Sequence, residues 1–252
     1  MISARSVDSR SPAPWRYEVA EDIDQSFAER LRRFPRKPDM LVYAARTAAA
    51  LVIRAWLRTY HRLTIVGREN LPRDRSFILV ANHSSHLDAI ALQAALPLNK
   101  LHRTFCAAAN DYFFQSPPLT WMATIVANAL PFCRELRAVQ SLALCDALLT
   151  NPGNVLILFP EGTRTATGAP GKFKSGVGVL LAGKETTVVP CHLDGAFTAW
   201  PKGRAIPRPR KLTLRIGTPR TYTQLGARHE NAFVVAADLE RAVNQLGVNR
   251  PI

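Results

Sequence analysis

Residues 82–88 read Asn-His-Ser-Ser-His-Leu-Asp, placing His83 and Asp88 five positions apart with two serines between them. Imidazole is the side chain that changes protonation near neutral pH. A carboxylate bonded to one ring nitrogen fixes the tautomer and leaves the other nitrogen free to take a proton. His83 and Asp88 are therefore candidates for a general base and its orienting partner. In continuous helix the two would diverge by about 140° around the axis, so the pairing requires a turn. The same residues also read as a helix start, with Ser84 or Ser85 as cap and Asp88 favouring the helix dipole. Neither serine has a nucleophile-elbow setting, so both are read as capping or positioning residues.

A second group lies at residues 159–164, Phe-Pro-Glu-Gly-Thr-Arg. In it Gly162 stands beside the carboxylate of Glu161, the hydroxyl of Thr163 and the guanidinium of Arg164. Backbone amides freed by a glycine turn, with an arginine alongside, suit a bound phosphate; a surface turn with a solvated Arg164 has the same composition. Lys174, in Gly-Lys-Phe-Lys-Ser-Gly at 171–176, adds a nearby cation or a solvated basic loop.

Both groups follow apolar runs that read as buried strands. Strand-like segments are expected at 63–66, 77–81, 104–109, 155–159, 186–189 and 212–216, the fifth stopped by Pro190. Helical patterns are expected at 16–34, 40–58, 87–96, 117–130, 137–149 and 232–246. Strands alternating with helices predict an α/β domain with a mixed, largely parallel central sheet flanked by helices. Catalytic groups in such sheets gather beyond the carboxyl ends of strands, which is where both motifs fall. The expected division is an N-terminal polar segment with interfacial helices at 1–60, then a catalytic domain at 61–252.

Asn-His-x4-Asp followed some seventy residues later by Phe-Pro-Glu-Gly-Thr-Arg resembles the glycerolipid acyltransferases, typified by lysophosphatidic acid acyltransferase. The resemblance runs from about residue 63 to 216. It is supported by Gly67-Arg68-Glu69-Asn70-Leu71-Pro72 before the first motif, by Phe173-Lys174-Ser175-Gly176, and by Val189-Pro190 in the last block. It implies that His83 is the base and Asp88 its partner, and that Glu161, Gly162 and Arg164 contact the acceptor's phosphate and glycerol. Thr163 and Lys174 join this substrate-binding set, and Arg134 is implied as a second phosphate ligand. One block departs from the family pattern: Asn128-Ala129-Leu130-Pro131-Phe132-Cys133-Arg134 keeps the arginine, replaces the glycine and shifts the aromatic residue. His86 stands where the family often has an aromatic residue. The implied reaction moves a fatty acyl group from acyl-CoA or acyl carrier protein to the free hydroxyl of a lysophospholipid, 1-acyl-sn-glycerol 3-phosphate in the family's type reaction. No metal or cofactor beyond the acyl donor is expected. Other acceptors with the same chemistry are a lyso-ornithine lipid, a glycolipid, or a phospholipid in transacylation.

The formal charge of +14, from 33 Lys and Arg against 19 Asp and Glu, implies an anionic partner: nucleic acid, anionic lipid or an acidic carrier. A non-catalytic basic binding module would leave both motifs unexplained and shows no recognition-helix signature, so nucleic acid is not expected. Segment 40–57 is long enough to cross a bilayer, but Arg46 and Arg54 interrupt it. Arg46, Arg54, Arg58 and Arg62 share one helical sector while Leu51, Val52, Ile53, Trp56 and Leu57 supply apolar bulk, the pattern of an interfacial helix; a helix packed on the domain's own core is the alternative. Arg204, Arg208, Arg210 and Lys211 form a Pro-rich basic loop suited to anionic headgroups, to an acidic carrier protein, or to water. The first fifteen residues lack a secretory signal pattern. The four cysteines, Cys106, Cys133, Cys145 and Cys191, are widely spaced and suggest neither a zinc site nor a disulfide framework. The expected location is the cytoplasmic face of a membrane, peripheral or monotopic.

Overall fold

The computed structural model describes residues 40–109, 128–132, 138–226 and 229–248. In chain order these contain α1 (Met40–Thr59), β1 (Thr64–Val66), β2 (Phe77–Ala81), α2 (Leu87–Ala95), β3 (Thr104–Ala109), β4 (Ala129–Phe132) and α3 (Ala138–Thr150). Then follow β5 (Val155–Leu158), α4 (Gly176–Leu181), β6 (Thr187–Asp194), α5 (Ala196–Ala199), β7 (Thr213–Ile216) and α6 (His229–Val248). The seven strands form one sheet in the order β1-β7-β6-β2-β5-β3-β4. From β6 to β4 neighbouring strands are parallel; β7 runs antiparallel to β6 and parallel to β1.

β2 (Phe-Ile-Leu-Val-Ala) is buried at every position, as a strand covered on both faces must be. One face packs Phe77, Leu79, Ala81, Ile157 and Cys191 under α2 and the last turns of α1. The other packs Ile78, Val80, Leu156, Leu158 and Val188 under α3, α4 and α6. β2 and β5 are adjacent, with Val80 paired to Leu158. His83 and Glu161 each lie three residues beyond that pair, so the register brings the two motifs together across 78 positions of sequence.

Several expectations need correction. The strand expected to stop at Pro190 runs on to Asp194. Backbone groups of Val188 and Pro190 point the same way along the strand; Val188 exchanges hydrogen bonds with Arg220, Pro190 O accepts from Gly217 N, and the β7 ladder begins only at Cys191. Pro190 thus sits at the junction between the Arg220 bridge and the ladder, where its carbonyl alone bonds to Gly217. The helix expected at 117–130 ends in residues that belong to β4, and 110–127 lie outside the described residues, as do the segment 16–34, Cys133 and Arg134. α4 and α5 were not expected: α4 carries Gly176 and Gly178, and α5 is four residues long. Glycine is a poor helix former, but Gly178 permits close approach, since a Cβ there would lie 1.9 Å from Ala232 O in α6.

The arginines of α1 also depart from the interfacial pattern. Arg46 is buried, and burial lowers its pKa to about 10. Arg54 turns inward to donate to the carbonyls of Gln93 and Leu96. Arg68 donates to Ala95 O at 2.7 Å and Ala94 O at 3.2 Å. Two cations thus satisfy the orphan carbonyls at the C-terminal end of α2. Leu57, Ile53 and Trp56 pack on the core, whereas Met40, Leu41, Leu51 and Val52 are exposed.

Gly178→Ala is expected to lose at least about 1–3 kcal/mol of stability through overpacking. Urea denaturation measures this, and an unchanged midpoint would show that α4 and α6 are not in close contact.

Candidate active site

The turn from β2 into α2 is held by two buried carboxylates. Asp88, in the first turn of α2 and fully buried, accepts at Oδ2 from Ser84 N (2.6 Å) and Ser85 N (2.8 Å), and the same oxygen lies 2.9 Å from His83 Nδ1. Backbone donors from the turn neutralise a charge that burial would otherwise penalise heavily. They also direct the carboxylate at the imidazole, supplying the turn that a histidine and aspartate five apart require. Ser85 Oγ accepts from Leu87 N (3.2 Å) and donates to Trp200 O (2.8 Å), so one hydroxyl caps α2 and ties it to the end of α5. Asn82 exchanges two hydrogen bonds with the backbone of Leu193, fixing the end of β2 to β6.

His83 has 21% of its side chain exposed. Its ring stacks on Phe159 with centroids 4.1 Å apart and planes 15° apart, which fixes the imidazole plane. With Nδ1 donating to Asp88, Nε2 is the nitrogen left to accept a proton.

Glu161 differs from its expected role at the acceptor. It points inward, 6% exposed, with Oε1 accepting from His83 N at 2.7 Å and Oε2 from Gly171 N at 2.8 Å. Burial raises its pKa against those two hydrogen bonds. Thr165 N donates to His83 O at 2.9 Å and Lys174 N to Pro160 O at 3.0 Å, so the loop at 160–174 is laced to both the turn and itself. Glu161 thus joins the two motifs through backbone. An anionic carboxylate with both oxygens engaged is poorly suited to meet a phosphate.

The other substrate-binding candidates surround this framework. Gly162 has φ of 74°, in the left-handed region. The side where a Cβ would stand is filled by Lys174, whose Nζ would lie 2.9 Å from it, and the Gly162 N–H donates to Phe159 O at 3.0 Å. Arg164 is close enough to His86 to oppose its protonation. Thr163 and Lys174 are exposed, and Arg164 is partly buried. Arg164 and Lys174 therefore bring two cations to the loop that is bonded to the His83 turn, with Lys174 packed on Gly162; Arg134 lies outside the described residues. His86, at the start of α2, packs near the Trp200 ring at 5.4 Å. Trp200, Phe159 and Asn82 are the site-forming residues that motif spacing did not assign a role. Among the described cysteines, Cys106, Cys145 and Cys191 are free and buried, and burial raises the first two to about 12. No group of three or more metal-ligating side chains occurs among the described residues.

The acyltransferase family model matches residues 62–194, more than half of the chain and the part that carries both motifs. The chain belongs to the acyltransferase family. Its relatives include a 1-acyl-sn-glycerol-3-phosphate acyltransferase of Chlamydomonas reinhardtii, 31% identical over 62% of this chain and 46% of the relative. Another, from Bacillus subtilis, is 28% identical over 62% of this chain and 72% of the relative. The chain spans about half the length of the plant and algal relatives it matches. In fold it is similar to the crystal structure of the 1-acyl-sn-glycerophosphate acyltransferase PlsC from Thermotoga maritima. That likeness has a TM-score of 0.61 and 25% identity, covering 82% of this chain and 81% of the other.

Glu161→Gln supplies one acceptor oxygen where two backbone N–H groups need one each. It is expected to cost about 1–3 kcal/mol, the usual penalty of a buried donor left unpaired. An unchanged unfolding midpoint would show that Glu161 does not hold the turn. His86 is lowered from 6.5 to about 4, chiefly by burial, with Arg164 and His83 adding. The unfolded chain therefore binds that proton at higher pH than the folded one, and stability present at neutral pH is lost as pH falls from 6.5 towards 4. His61, His102 and His192 are shifted in the same direction. His86→Gln is expected to flatten part of that acid slope, and a slope identical to wild type would contradict the burial of His86.

Proposed function

We propose that the chain transfers a fatty acyl group from the thioester of acyl-CoA or acyl carrier protein to the free hydroxyl of a lysophospholipid. The preferred acceptor is 1-acyl-sn-glycerol 3-phosphate, giving phosphatidic acid. The observation that carries this reading is the His83–Asp88 pair at 2.9 Å beyond the carboxyl end of β2, with Arg164 and Lys174 at its rim. The names of the algal and bacterial relatives support the acceptor.

In the proposed reaction the acceptor hydroxyl hydrogen-bonds to His83 Nε2. The imidazole removes the proton as oxygen attacks the thioester carbonyl, and Asp88 stabilises the imidazolium that forms. Collapse of the tetrahedral adduct breaks the C–S bond, and the thiolate takes the proton from His83 to leave as free thiol. Atoms and charge balance without an acyl-enzyme or a further cofactor. The ammonium of Lys174, packed on Gly162, and the guanidinium of Arg164 would hold the acceptor's phosphate, leaving the chain's own work as positioning and charge stabilisation. Arg134 is proposed as a second phosphate ligand. Association with the cytoplasmic face of a membrane is proposed through the exposed apolar side of α1, whose 20 residues are apolar enough to enter a bilayer.

His83→Ala is expected to lower turnover by about 10²–10⁴-fold, the usual contribution of a well-placed base, while leaving circular dichroism and unfolding unchanged. The assay is thiol release from acyl-CoA with lysophosphatidic acid, glycerol 3-phosphate and phosphate-free acceptors in parallel. Near-normal transfer by the variant would remove the mechanism, and equal rates on phosphate-free acceptors would remove the proposed acceptor.

A further inference from the structure

We propose that the loop at 201–211 is a second membrane-contact element, which seats on an anionic bilayer surface beside the mouth of the site. The proposal rests on the reading of the acceptor as a membrane lipid. Between Asp194 and Glu230 the chain contains no carboxylate. Within that stretch Lys202, Arg204, Arg208, Arg210 and Lys211 are exposed on one short loop, and Ile206 among them is 75% exposed.

The loop is held in place. Trp200 Nε1 donates to Arg204 O at 2.7 Å, Arg208 N to Ala199 O at 2.8 Å, and Tyr60 Oη to Pro207 O at 3.1 Å. His61 Nδ1 lies 3.2 Å from Arg210 O, and Leu212 N donates to His61 O at 3.0 Å. All these bonds engage loop backbone, so they fix the loop without using an arginine side chain. Its root is Trp200, whose carbonyl accepts from Ser85 of the His83 turn. Its flank is the end of α1, where Arg58 and Arg62 are exposed and enlarge the basic surface. A docked loop would therefore set the height of His83 above the surface it contacts.

Charge alone would suit an acidic carrier protein equally well. Ile206 decides between the two: it stands between Ala205 and Pro207 with cations on either side, the arrangement in which cations meet headgroups and an apolar tip enters the acyl boundary.

The test is sedimentation of the full chain with vesicles of phosphatidylglycerol mixed into phosphatidylcholine, against phosphatidylcholine alone. At about 1 kcal/mol, or about fivefold, per cation, the triple variant Arg204→Gln, Arg208→Gln, Arg210→Gln is expected to bind anionic vesicles about 100-fold more weakly. It is expected to change little on neutral ones. Ile206→Asp is expected to weaken the binding that survives high salt, the remainder of which belongs to the apolar side of α1. Both variants are expected to keep wild-type turnover on a water-soluble short-chain acceptor with acyl-CoA, which reports folding and chemistry apart from docking. Unchanged binding of the triple variant to anionic vesicles overturns the proposal. So does unchanged vesicle binding with turnover lost only when acyl carrier protein is the donor, which assigns the surface to the carrier. A wild-type chain that transfers no acyl group defeats the functional reading instead, and the vesicle comparison still decides the loop.

Discussion

Two buried carboxylates placed against one backbone turn set the rest of the site. Asp88 takes two amide hydrogens and the His83 ring on one oxygen, and Glu161 takes the His83 and Gly171 amides on two. A buried carboxylate without donors is very costly, and a turn of this shape offers donors that no helix or strand could. Each side therefore enforces the other: the charges hold the turn, and the turn aims the imidazole. The adjacency of β2 and β5 makes this possible, because it delivers His83 and Glu161 at equal offsets past a paired residue. Arg54 and Arg68, at the far end of α2, fix the helix that carries Asp88.

Much of this was legible in the residues. The apolar runs preceding each motif have the length and burial of central parallel strands, and β2 and β3 carry their expected bounds. Residue chemistry left His83 and Asp88 open between a base with its partner and a helix start; the second motif and the family resemblance pointed to the pair. What escaped was direction. Glu161 sits in a motif rich in polar groups, and sequence does not say that its side chain turns inward to bridge two loops. A helical wheel places Arg46 and Arg54 in one sector without saying which sector packs; Arg46 is buried, and the carbonyls that Arg54 meets lie at the end of α2, about forty residues on. Pro190 read as a strand end because proline lacks a donor, yet it sits at the junction of a bridge and a ladder, where its carbonyl alone keeps the pairing.

The inward turn of those arginines changes how α1 meets a membrane. A helix whose cations grip the domain presents Leu41, Leu51 and Val52 outward, so the apolar side is the free one. In the proposed membrane contact, cations for a lipid surface would come instead from the end of α1 and the loop beside it, whose backbone is bonded to Tyr60 and Trp200. Fold, site and surface are thus linked through a few bonds: Trp200 touches His86, its carbonyl holds Ser85, and Ser85 caps the helix that carries Asp88.

The central claim is that Asp88 fixes His83 with Nδ1 protonated and Nε2 free to accept the acceptor's proton. Two-bond proton–nitrogen correlation NMR of the histidine rings, assigned by comparison with His83→Ala, reads that tautomer directly at neutral pH. The expected result is a His83 ring with its proton on Nδ1, an assignment that Asp88→Asn disturbs. A His83 ring carrying its proton on Nε2, or one indifferent to Asp88→Asn, would contradict the claim.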